Sequence, residues 1–163
     1  MFTSPEKNVL EFGFLPGQTV ADFGSGSGHY SLALSKAVGP TGQIYAIDLR
    51  VDALTMLKGL VEKEGRNNLE VLVGDIDNQN GSGLKTEIVD GVVLSNILFQ
   101  LGNVEQAVTE AKRVTKPGGK ICLVEWSSKF PEARAKQLFE KAGLTFIKKF
   151  DAGDSHYGFV FKK

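Results

Sequence analysis

The chain has 163 residues, of which 42% are hydrophobic and 23% charged, and this predicts a single globular domain over residues 1–163. Its 19 basic and 19 acidic side chains cancel, so no overall field favours nucleic acid or a membrane surface as partner. The single cysteine, Cys122, excludes an internal disulfide and a cysteine-based metal cluster, and it fits a reducing, cytoplasmic location. No apolar run is long enough to cross a membrane, and we expect no metal site.

Hydrophobic periodicity and turn residues predict strands and helices that alternate along the chain. Residues 1–14 are expected to form a short helix, with Ser4 as N-cap, or a mobile segment. Strands are predicted at 19–23, 43–47, 69–73, 88–94, 120–126, 144–150 and 157–161. Further helices are predicted after the first strand up to Gly39, from an Asp52 cap to Gly65, and at 104–114 and 131–142. Residues 77–85 are interpreted as a loop and 116–119 as a tight turn.

The last two predicted strands are separated by too few residues for a crossover helix, so they must form an antiparallel hairpin. The strand–helix alternation before them favours a parallel sheet that is covered on both faces. The predicted fold class is therefore α/β, with a mostly parallel sheet and helices on both sides.

A glycine-rich loop follows the first strand, in the segment 20–31 with the sequence VADFGSGSGHYS. Gly24, Gly26 and Gly28 allow a sharp turn and let a ligand lie against the main chain. A strand that ends in such a loop and continues into a helix also points free N–H groups at the ligand. The pattern indicates a cradle for a nucleotide-like molecule, and the alternative is a glycine-rich connection that binds nothing.

Two carboxylates narrow the class of ligand. Asp48 ends the second strand, where an acid accepts hydrogen bonds from ribose hydroxyls in doubly wound folds; the alternative is a strand-end cap. Asp22 precedes the first glycine, and it would repel a pyrophosphate but attract an ammonium group. The glycine spacing also departs from the G-x-G-x-x-G dinucleotide pattern. These features favour S-adenosylmethionine, which has an ammonium group, a ribose and an adenine but no phosphate.

At this point the sequence resembles a known family. It is similar to class I S-adenosylmethionine-dependent methyltransferases, nearest to the small-molecule branch that includes ubiquinone- and menaquinone-biosynthesis enzymes. The resemblance rests on DFGSGSG at 22–28, AID at 46–48, GDI at 74–76, DGVVLSN at 90–96 and RVTKPGGK at 113–120. It implies a Rossmann-like, seven-stranded sheet in the order 3-2-1-4-5-7-6, with the last strand antiparallel.

The resemblance also implies roles for individual residues. Asp22 lies near the amino group of the cofactor, Asp48 holds the ribose, and Asp75 accepts from the adenine amino group. The backbone and neighbouring side chains that complete the expected cofactor site are Gly24, Ser25, Gly26, Gly28, Leu49, Ile76, Ser95 and Asn96. The alternative for Asp75 is a loop residue that hydrogen-bonds to its own backbone. The alternative for Ser95 and Asn96 is a turn at the end of the strand that binds no ligand.

Methyl transfer needs in-line placement of the acceptor and exclusion of water, and a base only where the acceptor must lose a proton. The catalytic candidates are His156, Asn96 and Glu125, with Trp126 as a possible stacking surface. The alternative for His156 is a solvated turn residue. Relatives often carry a histidine pair after strand four, where this chain has Phe99 and Gln100, so an acid–base role at that place does not transfer.

The segments that usually close the acceptor pocket are short in this chain. Residues 1–18 precede strand one, 127–130 follow strand five, and 151–156 join the last strands. We therefore expect closure by a second subunit of a homodimer, or by a large acceptor such as protein or RNA. The alternative is that a mobile segment 1–14 folds over a small-molecule acceptor.

Two other functions remain open from the sequence alone. A non-catalytic S-adenosylmethionine-binding module that acts through a partner protein would keep the same cofactor residues. An NAD-binding oxidoreductase fragment is disfavoured by the loop spacing and by Asp22.

Overall fold

A computed structural model describes residues 4–163 as a seven-stranded sheet with helices on both faces. The strands are β1 (Thr19–Phe23), β2 (Gln43–Asp48), β3 (Leu69–Val73), β4 (Val89–Ser95), β5 (Thr115–Trp126), β6 (Thr145–Asp151) and β7 (His156–Lys162). The helices are α1 (Pro5–Phe12), α2 (His29–Val38), α3 (Val51–Lys63), α4 (Val104–Val114) and α5 (Glu132–Lys141). A short 3₁₀ turn covers Leu98–Gln100.

The strand order is β3-β2-β1-β4-β5-β7-β6, as the resemblance implied. β1 to β5 pair in parallel, and β7 is antiparallel to both β5 and β6, so the predicted terminal hairpin is confirmed. This order places the carboxyl end of β1 between those of β2 and β4, where ligands bind in open α/β sheets.

The core has two layers, one on each face of the sheet. Side chains of α1, α2 and α3, such as Phe12, Leu34 and Leu57, pack on one face. Side chains of α4 and α5, such as Val108 and Phe139, pack on the other. Parallel strands buried on both faces explain why β1 and β4 are nearly continuous apolar runs.

Helix α1 is packed onto the rest of the domain. Val9 and Phe12 are 3% and 1% exposed, and the Asn8 amide donates to the Tyr30 hydroxyl at 2.8 Å and to the Ala152 carbonyl at 3.2 Å. The structure thus has the short helix of the two expectations, over Pro5–Phe12, packed on the sheet. Residues 1–3, which belong to the same prediction, lie outside the described part of the chain.

Two local predictions were wrong. Helix α3 begins at Val51 with Arg50 as its N-cap, so Asp52 lies in the first turn and does not cap it. Residues 116–119 are not a separate turn, because β5 already begins at Thr115 and changes register between its pairing with Val89 and with Gly91. The chain end supports this irregular start, since the Gly118 N–H donates to the Lys163 carbonyl at 2.9 Å.

The connection from β3 to β4 contains no helix among the described residues, in agreement with the loop predicted at 77–85. It is fixed by a buried contact to α4, where the Ser82 hydroxyl donates to the Glu110 carboxylate at 2.5 Å. Arg113 completes the cluster with an ion pair to Glu110 at 2.7 Å. A long loop is therefore held rigidly next to the carboxyl ends of β2 and β1.

Candidate active site

Two adjoining cavities lie at the carboxyl end of the parallel strands, and they share Gly24, Arg50 and Gln100. We call the smaller one, of about 210 Å³, the first cavity. It is bounded by residues at the end of β2 and in the loops after β2, β3 and β4: Ile47, Asp48, Leu49, Gly74, Asp75, Ile76, Asp77, Ile97 and Leu101. We call the larger one, of about 540 Å³, the second cavity. It is bounded by Pro5, Asp22, Ser25, Gly26, Ser27, His29, Tyr30, Ser95 and Asn96.

The glycine loop forms the floor between the cavities. Gly24, Gly26 and Gly28 all have positive φ, at +74°, +53° and +88°, where other residues are strained. A Cβ at Gly24 would lie 2.6 Å from Cγ1 of Ile97. A Cβ at Gly28 would lie 2.2 Å from Cδ1 of Leu57. These two positions therefore require glycine for both backbone and packing reasons.

Asp48 ties the glycine loop to the end of β2. The Gly26 N–H donates to its Oδ2 at 2.8 Å, and the Arg50 N–H donates to its Oδ1 at 2.8 Å. The residue is 7% exposed and borders the first cavity. Each carboxylate oxygen has a further lone pair, so Asp48 can still accept a hydrogen bond from a hydroxyl in that cavity.

Asp22 is a buried acid at the second cavity, with 1% of its surface exposed. The Ser31 hydroxyl donates to its Oδ2 at 2.5 Å. Burial raises the pKa of Asp22 to about 6, the Ser31 hydrogen bond opposes the rise, and the nearby charge of Asp48 adds to it. A cation in the second cavity would relieve this cost, because an opposite charge favours the ionised carboxylate.

The loop after β3 shapes the far end of the first cavity. Asp75 makes local contacts within its own loop, and one of them is to the backbone, as in the alternative role for this residue. Its Oδ1 accepts from the Asp77 N–H at 3.1 Å, and its Oδ2 accepts from the Asn78 side-chain amide at 2.7 Å. It still borders the cavity, as do the buried Ile76 and the exposed Leu49. The Asp77 carboxylate accepts from the Gly102 N–H at 2.9 Å, which joins this loop to the start of α4.

Two buried polar atoms on residues of the second cavity have no hydrogen-bond partner among residues 4–163, Ser25 Oγ and Asn96 Oδ1. Asn96 also has a φ of +53°, in the left-handed region that residues other than glycine seldom adopt. Unpaired buried polar groups and strained backbone cost free energy, and they cluster at ligand sites. Together with Asp22, these atoms fit the ammonium and carboxylate of an amino acid group.

Two of the catalytic candidates, Glu125 and His156, do not line either cavity. Glu125 is fully buried, its Oε2 accepts from the Leu98 N–H at 2.9 Å, and its Oε1 accepts from the Trp126 N–H at 3.0 Å. The side chain therefore points into the protein and not toward either cavity, and its predicted catalytic role stays a prediction. Burial raises its pKa to about 7, against the backbone hydrogen bonds that lower it.

His156 starts β7 and pairs with Trp126 at the end of β5, on the predicted edge of the sheet. Its ring lies 4.1 Å from the Trp126 ring, between centroids. Its Nδ1 is 2.8 Å from the Asp154 carbonyl, so that nitrogen carries the proton. Its Nε2 is buried and has no hydrogen-bond partner in the part of the chain that the structure describes.

Sequence reasoning missed several residues that border the cavities, among them Arg50, Gln100 and Asp77. Arg50 lies between them, its Nε 3.5 Å from Asp48 Oδ1, and Gln100 donates from its Nε2 to the Asn96 carbonyl at 2.7 Å. Asp77 joins two loops that are 25 residues apart in the chain. Only the acid at 77 gave a local signal, since it follows the GDI segment by one position.

The sheet order, the glycine loop after β1 and the acids after β2 and β3 define the class I methyltransferase fold. The family model described as a methyltransferase domain matches residues 15–156. The chain therefore belongs to this methyltransferase domain family, for which S-adenosylmethionine is the implied cofactor.

Relatives agree with this assignment. A demethylmenaquinone methyltransferase of Lactococcus lactis is 31% identical over 74% of this chain and 47% of its own length. A ubiquinone/menaquinone biosynthesis C-methyltransferase UbiE of Cupriavidus taiwanensis is 29% identical over 90% of this chain and 59% of its own length. The resemblance to this branch is confirmed, although the chain spans about half the length of these relatives.

Among solved structures, the crystal structure of a SAM dependent methyltransferase from Aquifex aeolicus superposes with a TM-score of 0.88. It is 27% identical in sequence and covers 98% of this chain and 89% of its own. Within residues 4–163, no group of three or more His, Cys, Asp or Glu could hold a metal ion. None of the described helices is long and apolar enough to cross a membrane.

Proposed function

We propose that this domain binds S-adenosylmethionine across the two cavities and transfers its methyl group to an acceptor. The observation that carries the proposal is the arrangement of one glycine loop between Asp48 at the first cavity and Asp22 at the second. The bound cofactor supplies an activated methyl group on a sulfonium, so the residues of the chain need only bind, orient and exclude water.

The first cavity is the proposed adenosine site. Asp48 accepts from the ribose hydroxyls, and Leu49 covers the adenine from the exposed side. Ile76 lines the ring edge with its backbone, and Asp75 accepts from the adenine amino group. The last contact requires Asp75 to use a lone pair beyond the Asp77 and Asn78 bonds that it makes in the structure.

The second cavity is the proposed amino acid site. Asp22 faces the ammonium group, while the backbone at Gly24, Gly26 and Gly28 lies against the methionine chain. The Ser25 hydroxyl and the side-chain oxygen of Asn96 are the proposed polar partners of this part, because both are buried without a hydrogen-bond partner among the described residues. Ser95, at the end of β4, lies beside Asn96 at the methyl end of the cavity.

His156 is the proposed base for an acceptor that must lose a proton. The Nδ1 contact to Asp154 leaves the lone pair on Nε2, which is the tautomer that a base requires. The proposed acceptor is a small molecule, or a protein or RNA large enough to cover the acceptor pocket itself. For a small acceptor, the second subunit of a homodimer would cover the pocket. We also propose a cytoplasmic location, which the free and buried Cys122 supports.

Turnover of cofactor labelled in the methyl group, against a fractionated extract of metabolites and RNA, tests the activity. We expect label to enter one fraction, and Asp48→Ala to abolish the transfer at low cofactor concentration. Tight binding without transfer to any fraction would instead support the alternative of a non-catalytic binding module.

A further inference from the structure

The connection between β4 and α4, residues 96–103, borders both cavities. Asn96 lines the second cavity, Ile97 and Leu101 line the first, and Gln100 lines both. Ile97 also packs directly on Gly24 of the glycine loop. This connection therefore contributes residues to both cavities, with Asn96 at the second and Ile97 and Leu101 at the first.

Asn96 is the strained residue of the connection. Asparagine adopts a left-handed φ more readily than most residues with a side chain, but the conformation still depends on contacts that hold it. Two bonds act on its own peptide groups: its N–H donates to the Val124 carbonyl at 2.8 Å, and its carbonyl accepts from Gln100 at 2.7 Å. Its side-chain oxygen has no hydrogen-bond partner among residues 4–163, so no hydrogen bond to that oxygen fixes the side chain.

A third bond comes from Glu125, at the carboxyl end of β5. Its Oε2 accepts from the N–H of Leu98, two residues after Asn96, at 2.9 Å. Strand alternation points Glu125 to the α4 and α5 face, with Ile121 and Leu123, and so away from the glycine loop. Burial of a carboxylate is costly, and its fixed contacts are the backbone N–H groups of Leu98 and Trp126.

We propose that Glu125 is a positioning residue, which holds the 97–98 peptide so that Asn96 keeps its left-handed conformation and presents its amide to the second cavity. The inference rests on the proposed function, in which that cavity receives the amino acid part of the cofactor. Glu125 borders neither cavity, so its effect on a ligand passes through the connection at 96–103, and the proposal assigns that effect to Asn96.

Calorimetry with two ligands separates this role from general damage. S-adenosylhomocysteine fills both cavities in the proposed function, whereas 5′-methylthioadenosine lacks the amino acid part. Glu125→Gln places an amide N–H₂ against one of the two backbone N–H groups that the carboxylate accepts. We expect it to weaken S-adenosylhomocysteine about tenfold and to leave 5′-methylthioadenosine within about twofold.

Asp77→Asn is the matched control, because Asp77 also accepts backbone N–H groups of the same connection but lies at the first cavity. It should weaken both ligands by the same factor. In an Asn96→Gly background, which keeps the backbone conformation but removes the amide, Glu125→Gln should add nothing further. Should Glu125→Gln fail to fold by circular dichroism, Glu125→Asp decides, since it withdraws the carboxylate by one methylene.

An equal loss of both ligands, or no loss of either, in the folded Glu125 variants would overturn the positioning role. The wild-type chain supplies the separate test of the proposed function. If it binds neither ligand, the cofactor site itself is contradicted; if it binds both and the variants lose them equally, only the role of Glu125 fails.

Discussion

We call the side of the sheet at the amino ends of the parallel strands the amino edge, and the side at their carboxyl ends the carboxyl edge. The two differ in how fully their buried polar groups are paired, and two asparagines show the difference. At the amino edge, the Asn68 amide accepts from the Ser35 hydroxyl at 2.6 Å and donates to the carbonyls of Ser35 and Gly39 at 2.9 and 2.8 Å. At the carboxyl edge, Asn96 Oδ1 has no partner in the described chain. The first asparagine stabilises the fold, while the second is available to a ligand.

A lysine and an aspartate extend the comparison to charged groups. At the amino edge, the Lys120 ammonium donates to the last carbonyls of α1, those of Phe12 and Gly13, at 3.1 and 2.8 Å. At the carboxyl edge, Asp22 is buried without an ion pair to any side chain of residues 4–163, and burial raises its pKa to about 6. The paired groups of the amino edge therefore contribute to folding stability, whereas the carboxyl edge contains a buried carboxylate that a cationic ligand would stabilise.

Two glycines, one from each edge, give the largest expected effect. Gly24→Ala places a Cβ 2.6 Å from Ile97 at a φ of +74°, and we expect cofactor affinity to fall more than about 100-fold. Gly39→Ala has a similar φ of +66° but no atom within 4 Å, so it should cost about 1–3 kcal/mol of stability and leave affinity unchanged. Calorimetry on both folded variants checks this, and equal affinities would contradict the role of the loop.

The two asparagines should respond in opposite ways. Asn68→Ala leaves Ser35 and Gly39 carbonyls unpaired, and we expect it to lower the free energy of unfolding by about 2–3 kcal/mol without changing cofactor affinity. Asn96→Ala should change stability by less than about 1 kcal/mol and weaken the cofactor roughly tenfold. Urea unfolding and calorimetry measure the two quantities, and a stability loss at Asn96 as large as that at Asn68 would refute the contrast.

Asp22→Asn should stabilise the ligand-free protein in a pH-dependent way. Because the folded-state pKa is raised, the stability that Asp22 contributes is greatest below its usual value of 3.8 and is lost as the pH rises through about 6. We therefore expect the variant to exceed wild type by roughly 1–2 kcal/mol at pH 8, and the difference to vanish near pH 4. Unfolding curves at both pH values test this, while the same variant should bind the cofactor more weakly at pH 8.

The fold was predictable because each element carries its own local pattern. The bounds of β1, β3 and α4 match the prediction, and the short terminal connection correctly indicated the antiparallel hairpin. The start of β5 was not predictable, since its first residues are held by Lys163, which lies 45 residues further along. Such a contact leaves no signal in the neighbouring sequence.

The acids of the site were predictable in place because each lies at or just beyond the carboxyl end of a predicted parallel strand. Arg50 and Gln100 were not, since they reach the cavities only through contacts between separate loops. Glu125 was expected at the acceptor side of the sheet, but its side chain is buried in the protein. Strand alternation could have predicted this, because Leu123 and Glu125 share a face and Leu123 lies in the core under α4 and α5. The roles proposed for the individual site residues remain predictions.

The most direct test of the account is calorimetry of the wild-type chain with S-adenosylmethionine, S-adenosylhomocysteine and NAD under the same conditions. The account predicts that both sulfur-containing ligands bind, and that each binds at least about tenfold more tightly than NAD. It also predicts that Asp48→Ala weakens both by roughly 1–3 kcal/mol, as expected for a lost ribose partner. Comparable binding of NAD, or affinities that Asp48→Ala leaves unchanged, would contradict the central claim that the two cavities form one S-adenosylmethionine site.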